Sequence, residues 1–244
     1  MRAAPRDRRM TILLRRLAVV GYIVLVLASA LVVIWTMKHT LAVYKLRRGV
    51  GDTIFLSADG KPWFRMDERR RDVPIAEIAP GMREAVLAIE DHRFYRHFGI
   101  DPIGVGRAAV RNVMRDSTEG GSTITQQLAR TMFLSNRRTW GRKIQEAGLA
   151  LLLEMQLSKE QIFELYLNRI YLSGGMYGVE ATSQALFGKA SKSLTLAEAA
   201  LIAGLIKAPS ALSPWSNFDE ARARSFVVLA RMRERSRGVP RGDG

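Results

Sequence analysis

The sequence predicts a mainly α-helical domain behind one membrane-spanning helix. Three observations carry that prediction. Apolar residues recur at helical spacing through most of the chain after Ile75. Strand–helix alternation and internal repeats are absent, so a parallel α/β sheet is not expected. One run, Leu17–Met37, contains no charged side chain.

That run, LAVVGYIVLVLASALVVIWTM (17–37), is long enough to cross a bilayer as a helix. Arg2, Arg6, Arg8, Arg9, Arg15 and Arg16 precede it against a single acid, Asp7. Residues 1–16 are therefore expected as a cytoplasmic basic tail, and the remainder as exported. Ala28-Ser29-Ala30 resembles a signal-cleavage site, but it lies inside the apolar run, and the run exceeds an ordinary signal core, so an uncleaved anchor is expected. Residues 38–75 read as a linker. Its first part, 38–50, is a short amphipathic lead-out, and TIFLSADGKPWFRM forms a β-hairpin around Asp59-Gly60. ERRRD (68–72) reads as a solvated charge run.

The main domain is expected over residues 76–236. Pro80-Gly81 opens MREAVLAIEDHRF, in which Met82, Ala85, Val86 and Ile89 share one helical face and Gly99 supplies the stop. Further helices are predicted at 102–115, 122–134, 139–156, 159–171, 178–186, 195–206 and 218–236, several separated by glycine-bearing turns such as STEGG and LSGGMYG. The tail 237–244 reads as disordered.

Composition narrows the chemistry. The 244 residues are 48% hydrophobic, enough for a real core. The absence of cysteine excludes disulfides, a thiol nucleophile and thiolate metal sites. A formal charge of +15 attracts polyanions: nucleic acid, anionic lipid or a phosphate-bearing substrate.

Four stretches could carry chemistry. In LAIEDHRFYRHFGID (87–101), Glu90 and Asp91 stand among Phe94, Tyr95, Phe98, His92 and His97. A carboxylate beside rings is poorly solvated, which favours its proton-bound form and suits proton transfer; two exposed acids at a helix end are the plain alternative. In EGGSTITQQLAR (119–130), glycines precede Ser122 and Thr123, which can cap a helix whose free N–H groups suit an anion. No G-x-x-x-x-G-K-[ST] pattern is present, so this is not a nucleotide-binding loop. In RKIQEAGLALLLE (142–154), Ile144, Gly148, Leu151 and Met155 read as an apolar seam, with Lys143 and Glu146 to one side. Either these charges pair along the helix, or the cations face a phosphate; basic-before-acidic is the poorer pairing order. In 159–189, Phe163, Tyr166, Leu167 and Ile170 make a core stripe, while Asn168, Tyr171, Gly174 and Gly178 could shape a cleft.

In this order the four stretches resemble the motifs of the peptidoglycan glycosyltransferase family (family 51). EDHRFYRHFGID resembles the first, GGSTITQQLAR the second, RKIQEAGLALLLE the third and YLNRIYLSGGMYGVEA…FGK the fourth, with EAALIAGLIKAPSALSP (198–214) resembling the closing segment. The resemblance runs from about Ile54 to Met232 and is closest to the glycosyltransferase domain of class A penicillin-binding proteins. No S-x-x-K motif appears, so the transpeptidase half is not expected in this chain. The resemblance implies a lysozyme-like fold with a smaller membrane-facing lobe. It implies polymerisation of lipid II, a disaccharide-pentapeptide on undecaprenyl pyrophosphate, into β-1,4-linked glycan.

By the same resemblance Glu90 would be the general base and Glu146 a second catalytic carboxylate, holding the pyrophosphate through a divalent cation (Mg2+ or Mn2+). Arg130, Arg142 and Lys143 would bind the pyrophosphate. Asp91, Phe94, His97, Gly121, Ser122, Thr123, Gln126, Gln127 and Asn168 would complete the substrate site. No organic cofactor is expected. Implied partners are lipid II, the nascent glycan strand, membrane lipid, and transpeptidases or other wall-synthesis proteins; the implied place is the inner membrane, with the catalytic domain outside the cytoplasm. Nucleic acid is not expected, since no recognised motif is present. One departure stands out: the family usually has Lys-Asn where this chain has Arg130-Thr131, and arginine keeps the charge while adding a bidentate fork. The rival is a lysozyme-like lytic transglycosylase or hydrolase, which uses one glutamate and needs no pyrophosphate site. A non-catalytic scaffold is the third class, suggested only by charge.

Overall fold

The computed structural model describes residues 6–47, 53–56, 59, 62–66, 72–115, 121–134 and 139–236. The chain divides into an N-terminal unit ending at Arg48 and a second unit from Gly49 onward.

The first unit is one helix, α1 (Arg6–Arg47). Its 42 residues rise to roughly 63 Å at 1.5 Å each. The stretch Met10–Tyr44 is long and apolar enough to cross a membrane, and the expected span 17–37 lies inside it. The expected lead-out at 38–50 is helical as far as Arg47, in one piece with the apolar span, and its last residues, 48–50, lie outside the described residues. KHTLAVYKLR contains neither glycine nor proline, so nothing in it interrupts the hydrogen-bond ladder.

The second unit begins with the expected hairpin. Strand β1 (Thr53–Leu56) pairs antiparallel with β2 (Pro62–Met66), Phe55 facing Phe64. The rest is helical: α2 (Pro80–Ile89), α3 (Pro102–Arg115), α4 (Ile124–Phe133), α5 (Trp140–Gln156) and α6 (Lys159–Arg169). A small hairpin, β3 (Tyr171–Ser173) with β4 (Met176–Tyr177), leads to α7 (Val179–Phe187), α8 (Leu196–Leu205) and α9 (Phe218–Ser236). The tail 237–244 and most of ERRRD and STEGG lie outside the described residues.

Two packed groups form the core. Helices α2, α8 and α9 pack together, and α4 packs on α5 and α6. Helix α8 is buried along most of its length through Ala199, Ala200, Ile202, Ala203, Gly204 and Leu205. Its small residues let neighbours approach closely; a methyl group at Gly204 would stand 3.1 Å from Arg224 Cγ of α9. The predicted stripe Phe163, Tyr166, Leu167 and Ile170 of α6 is buried.

Three elements differ from expectation. Helix α2 ends at Ile89, ten residues before Gly99. Gly99 instead turns the chain at φ +72°, where a methyl group would meet the Ala150 carbonyl at 3.0 Å. Helix α5 buries Glu146, Leu149, Ala150, Leu152 and Leu153. The seam read from the sequence therefore faces outward, with Ile144 74% and Met155 73% exposed. Where the pattern predicts a helix to 171 and then a glycine-bearing turn, residues 171–177 form a hairpin. It is pinned by Gly178, which at φ +86° carries no Cβ because one would lie 2.6 Å from the Asn168 carbonyl oxygen.

Candidate active site

The segment between α2 and α3 sets the site. Helix α2 stops at Glu90, whose N–H still bonds the Val86 carbonyl at 2.9 Å. The chain then turns inward on Phe94, which is fully buried against Phe163 at 5.6 Å between ring centroids. The Lys159 ammonium lies 4.3 Å from the Phe94 ring centre. Of the rings expected beside the acids, Phe94 forms the wall, while Tyr95 and Phe98 are exposed. Asp91 turns away from solvent: Oδ2 accepts the Ile124 N–H at 3.0 Å, and both carboxylate oxygens lie within 3.1 Å of His97 Nε2.

The 121–123 segment meets this one at the start of α4. Thr123 caps α4 by accepting the Gln126 N–H at 3.1 Å, and the Gln126 side chain accepts the Thr123 N–H at 3.1 Å. Thr123 also donates to the Gly99 carbonyl at 2.6 Å. The two segments are thus locked together, and the next turn of α4 is aimed at Glu90. Gln127 Nε2 donates to Glu90 Oε2 at 2.8 Å.

Together these elements enclose a cavity of about 570 Å³. Of the residues that the resemblance implies for the substrate site, Glu90, Asp91, Gly121, Ser122, Thr123, Gln127 and Arg130 line it. Lys143 adjoins it, donating from Nζ to Ser122 Oγ at 2.9 Å and to Glu146 Oε1 at 2.6 Å. The lysine–glutamate pairing that the motif order disfavoured is therefore made, and Lys143 also reaches the cavity wall through Ser122. Phe94, His97, Gln126, Arg142 and Asn168 do not line the cavity. Phe94 is core, His97 braces Asp91 and Gln126 closes the cap. Asn168 accepts the Val73 N–H at 3.0 Å and donates to its carbonyl at 2.9 Å, pinning the entry to the domain. Arg142 lies in the first turn of α5, its N–H bonded to the Thr139 hydroxyl.

The far wall was not read from the sequence. It brings Arg107 from α3, Lys207 after α8, and Arg224 and Arg231 from α9. Arg224 and Arg231 stand seven residues apart, next to the buried positions Ala221, Ser225 and Val228. That i, i+7 arginine pair along a buried stripe was the available signal.

Of these charges Arg224 acts on Glu90. Burial pushes its carboxyl above the ordinary glutamate value; the Gln127 hydrogen bond, then Arg224 and Arg130, pull it back, and Asp91 pushes it up. The net direction is upward. Burial likewise lowers the Arg224 guanidinium, while the charge of Glu90, on the same cavity, opposes that.

The site offers poor material for a metal. Glu146 presents one carboxylate with an ammonium on Oε1, and among the described residues no group of three or more His, Cys, Asp or Glu side chains could hold an ion. A divalent cation needs several oxygen ligands. Glu146 alone does not supply them, and its nearest neighbour is a cation.

A family model described as Transglycosylase matches residues 59–233. The chain belongs to this transglycosylase family. Penicillin-binding protein 1A of Escherichia coli is 51% identical over 178 residues, covering 72% of this chain and 21% of that protein. Penicillin-binding protein 1A of Neisseria gonorrhoeae is 47% identical over 180 residues. This transglycosylase chain thus spans about a fifth of the length of those relatives. The "Putative transglycosylase" of Cupriavidus necator is 48% identical over 171 residues, which are 70% of this chain and 74% of that one. The crystal structure of penicillin-binding protein 1A from Haemophilus influenzae aligns at a TM-score of 0.38 and 25% identity, over 78% of this chain and 19% of that one, below the level that argues a shared fold.

Proposed function

We propose that this transglycosylase polymerises lipid II into β-1,4-linked glycan at the outer face of the cytoplasmic membrane. The observation that carries the reading is one cavity in which a poorly solvated carboxylate, Glu90, faces the cations Arg130 and Arg224.

The chemistry follows from that opposition. Glu90 takes the proton of the acceptor sugar's 4-hydroxyl as its oxygen forms a bond to the donor's anomeric carbon. The bond from that carbon to the diphosphate oxygen breaks with inversion, and the electron pair leaves on polyprenyl pyrophosphate. A carboxyl held above its ordinary value is matched to this transfer near neutral pH. The leaving group needs charge neutralisation rather than a proton. Arg130, with its planar fork, and Lys143 through the Ser122 wall are the groups placed to give it. Asp91 holds the two wall segments in register. Helix α1 tethers the domain to the membrane that carries the lipid, and the arginines before the apolar run favour an exported domain.

Fluorescent lipid II incubated with the full chain in detergent tests the reading. The expected product is polymer, lost in Glu90→Gln. Release of fragments from finished peptidoglycan, with no polymer from lipid II, would replace it with the lytic reading.

A further inference from the structure

Behind Glu90 lies a second polar layer that the proton transfer itself does not use. Tyr166, on α6, is among the largest fully enclosed side chains of the core. Its hydroxyl donates to Gln127 Oε1 at 3.0 Å, and Gln127 Nε2 in turn donates to Glu90 Oε2 at 2.8 Å. The three groups form one chain from the core to the cavity, and its direction is fixed at both ends. An ionised carboxylate only accepts, so the amide must present nitrogen to Glu90 and oxygen to Tyr166, and Tyr166 must donate. A side-chain amide by itself has no preference between its two orientations. Burial, then the charge of Glu90, hold the Tyr166 hydroxyl well above its ordinary value, so it remains a donor.

We propose that Tyr166 is a positioning residue for Glu90, holding the Gln127 amide so that its nitrogen, not its oxygen, meets the carboxylate. Gln127 engages Oε2, which leaves Oε1 as the oxygen to receive a proton from the cavity. With the hydroxyl gone, the amide is free to turn its oxygen toward Glu90, an arrangement that accepts a hydrogen bond from the protonated acid and disfavours the carboxylate. The other charged groups bearing on Glu90 are Asp91 beside it, Arg130 from α4 and Arg224 from α9. Asp101, Arg107, Lys207 and Arg231 line the same cavity. Asp91 and Arg130 also bear on the Tyr166 hydroxyl, and Tyr166→Phe removes none of these charges.

The inference rests on Glu90 as the base, and its test is read without turnover. The full chain in detergent carries ¹³C-labelled glutamate carboxyls, and the Glu90 signal is assigned by its loss in Glu90→Gln. In Tyr166→Phe the Glu90 titration midpoint is expected to move up by about one pH unit, the scale of a hydrogen bond to a charged group partly lost. Gln127→Met should move it in the same direction, and adding Tyr166→Phe to Gln127→Met should move it no further. Superimposable titrations of wild type and Tyr166→Phe overturn the proposal. So does an additive shift in the double variant, because Tyr166 would then act on Glu90 without Gln127. In lipid II polymerisation the acid limb of Tyr166→Phe should rise by the same amount with KM unchanged. A wild-type chain that makes no polymer would overturn the proposed function while leaving the carboxyl titration to judge Tyr166.

Discussion

Asp91 Oδ2 accepts the backbone N–H of Ile124, the first residue of α4, at 3.0 Å and across 33 residues of sequence. The acid next to Glu90 is therefore a helix-end acceptor for the element that carries Gln127 and Arg130. A negative group at that position also complements the helix dipole. Together with the Thr123–Gly99 and Gln127–Glu90 bonds, the pairing holds the Glu90 carboxylate in register with the Gln127 amide and the Arg130 guanidinium.

Asp91→Ala is expected to leave the buried Ile124 N–H unpaired, at a cost on the order of 2 kcal/mol. Asp91→Asn keeps one acceptor oxygen and should recover most of that loss. Thermal melting of the two variants checks the order. Equal melting temperatures would show that Ile124 finds another partner.

Lys143 and Glu146 give a second prediction, in which stability and function come apart. The Glu146 side chain is 1% exposed and its ion partner Lys143 is 44% exposed. Glu146 Oε2 has no other partner among the described residues. Lys143→Ala strands a buried carboxylate. Breaking a fully buried pair costs about 3–5 kcal/mol, and the half-exposed lysine lowers the expectation to about 2. The double variant Lys143→Ala/Glu146→Gln should regain stability without regaining lipid II polymerisation. Denaturant unfolding alongside an activity assay separates the two effects.

Much of this architecture was legible in the sequence, because most helices here have ordinary punctuation. Thr195 with Glu198 and Ser158 with Gln161 form capping boxes, and α3 and α9 start and stop where their patterns say. The misreadings share a cause. Apolar periodicity assigns charges to the outside, yet α5 turns Glu146 inward, where Lys143 pairs with it while also bonding Ser122. The same rule left Ile144 and Met155 in the core on paper and on the surface in the fold. The end of α2 was misplaced for a related reason. Glu90 and Asp91 continue a helical pattern, but the Asp91 carboxylate is drawn to Ile124 and His97 and the ring of Phe94 is drawn into the core. Arg224 carried no motif, and only the approach of α9 to Gly204 brings it to the cavity.

Arg224 tests whether that unpredicted wall matters. Its charge favours the ionised form of Glu90. Arg224→Met keeps the aliphatic stem against Gly204 and removes the charge. The Glu90 carboxyl should rise further, so the rate at neutral pH falls and recovers as pH is raised. A pH–rate profile with fluorescent lipid II reads this directly. An acid limb at the wild-type position would remove Arg224 from the electrostatics of Glu90.

Glu90→Gln makes the last prediction, and its sign runs against intuition for a conserved-size change at a packed site. The carboxyl of Glu90 is raised in the fold relative to its ordinary value of 4.5, chiefly by burial. A raised acid is a folding cost that is absent at low pH, appears as pH climbs through the unfolded-state value, and is complete above the folded-state value. Glutamine mimics the protonated form and never incurs that cost. The variant should therefore melt higher than wild type at neutral pH, and the two curves should converge as pH falls below about 4, where both side chains are neutral. Polymerisation should fall by about 10²–10⁴-fold, the usual contribution of a positioned proton acceptor. A stabilised but inactive variant is the signature of a group held in an unfavourable charge state for chemistry. If Glu90→Gln instead melts lower at neutral pH, the cations Arg130 and Arg224 outweigh the burial of the carboxylate, and the raised acidity range assigned to Glu90 is wrong.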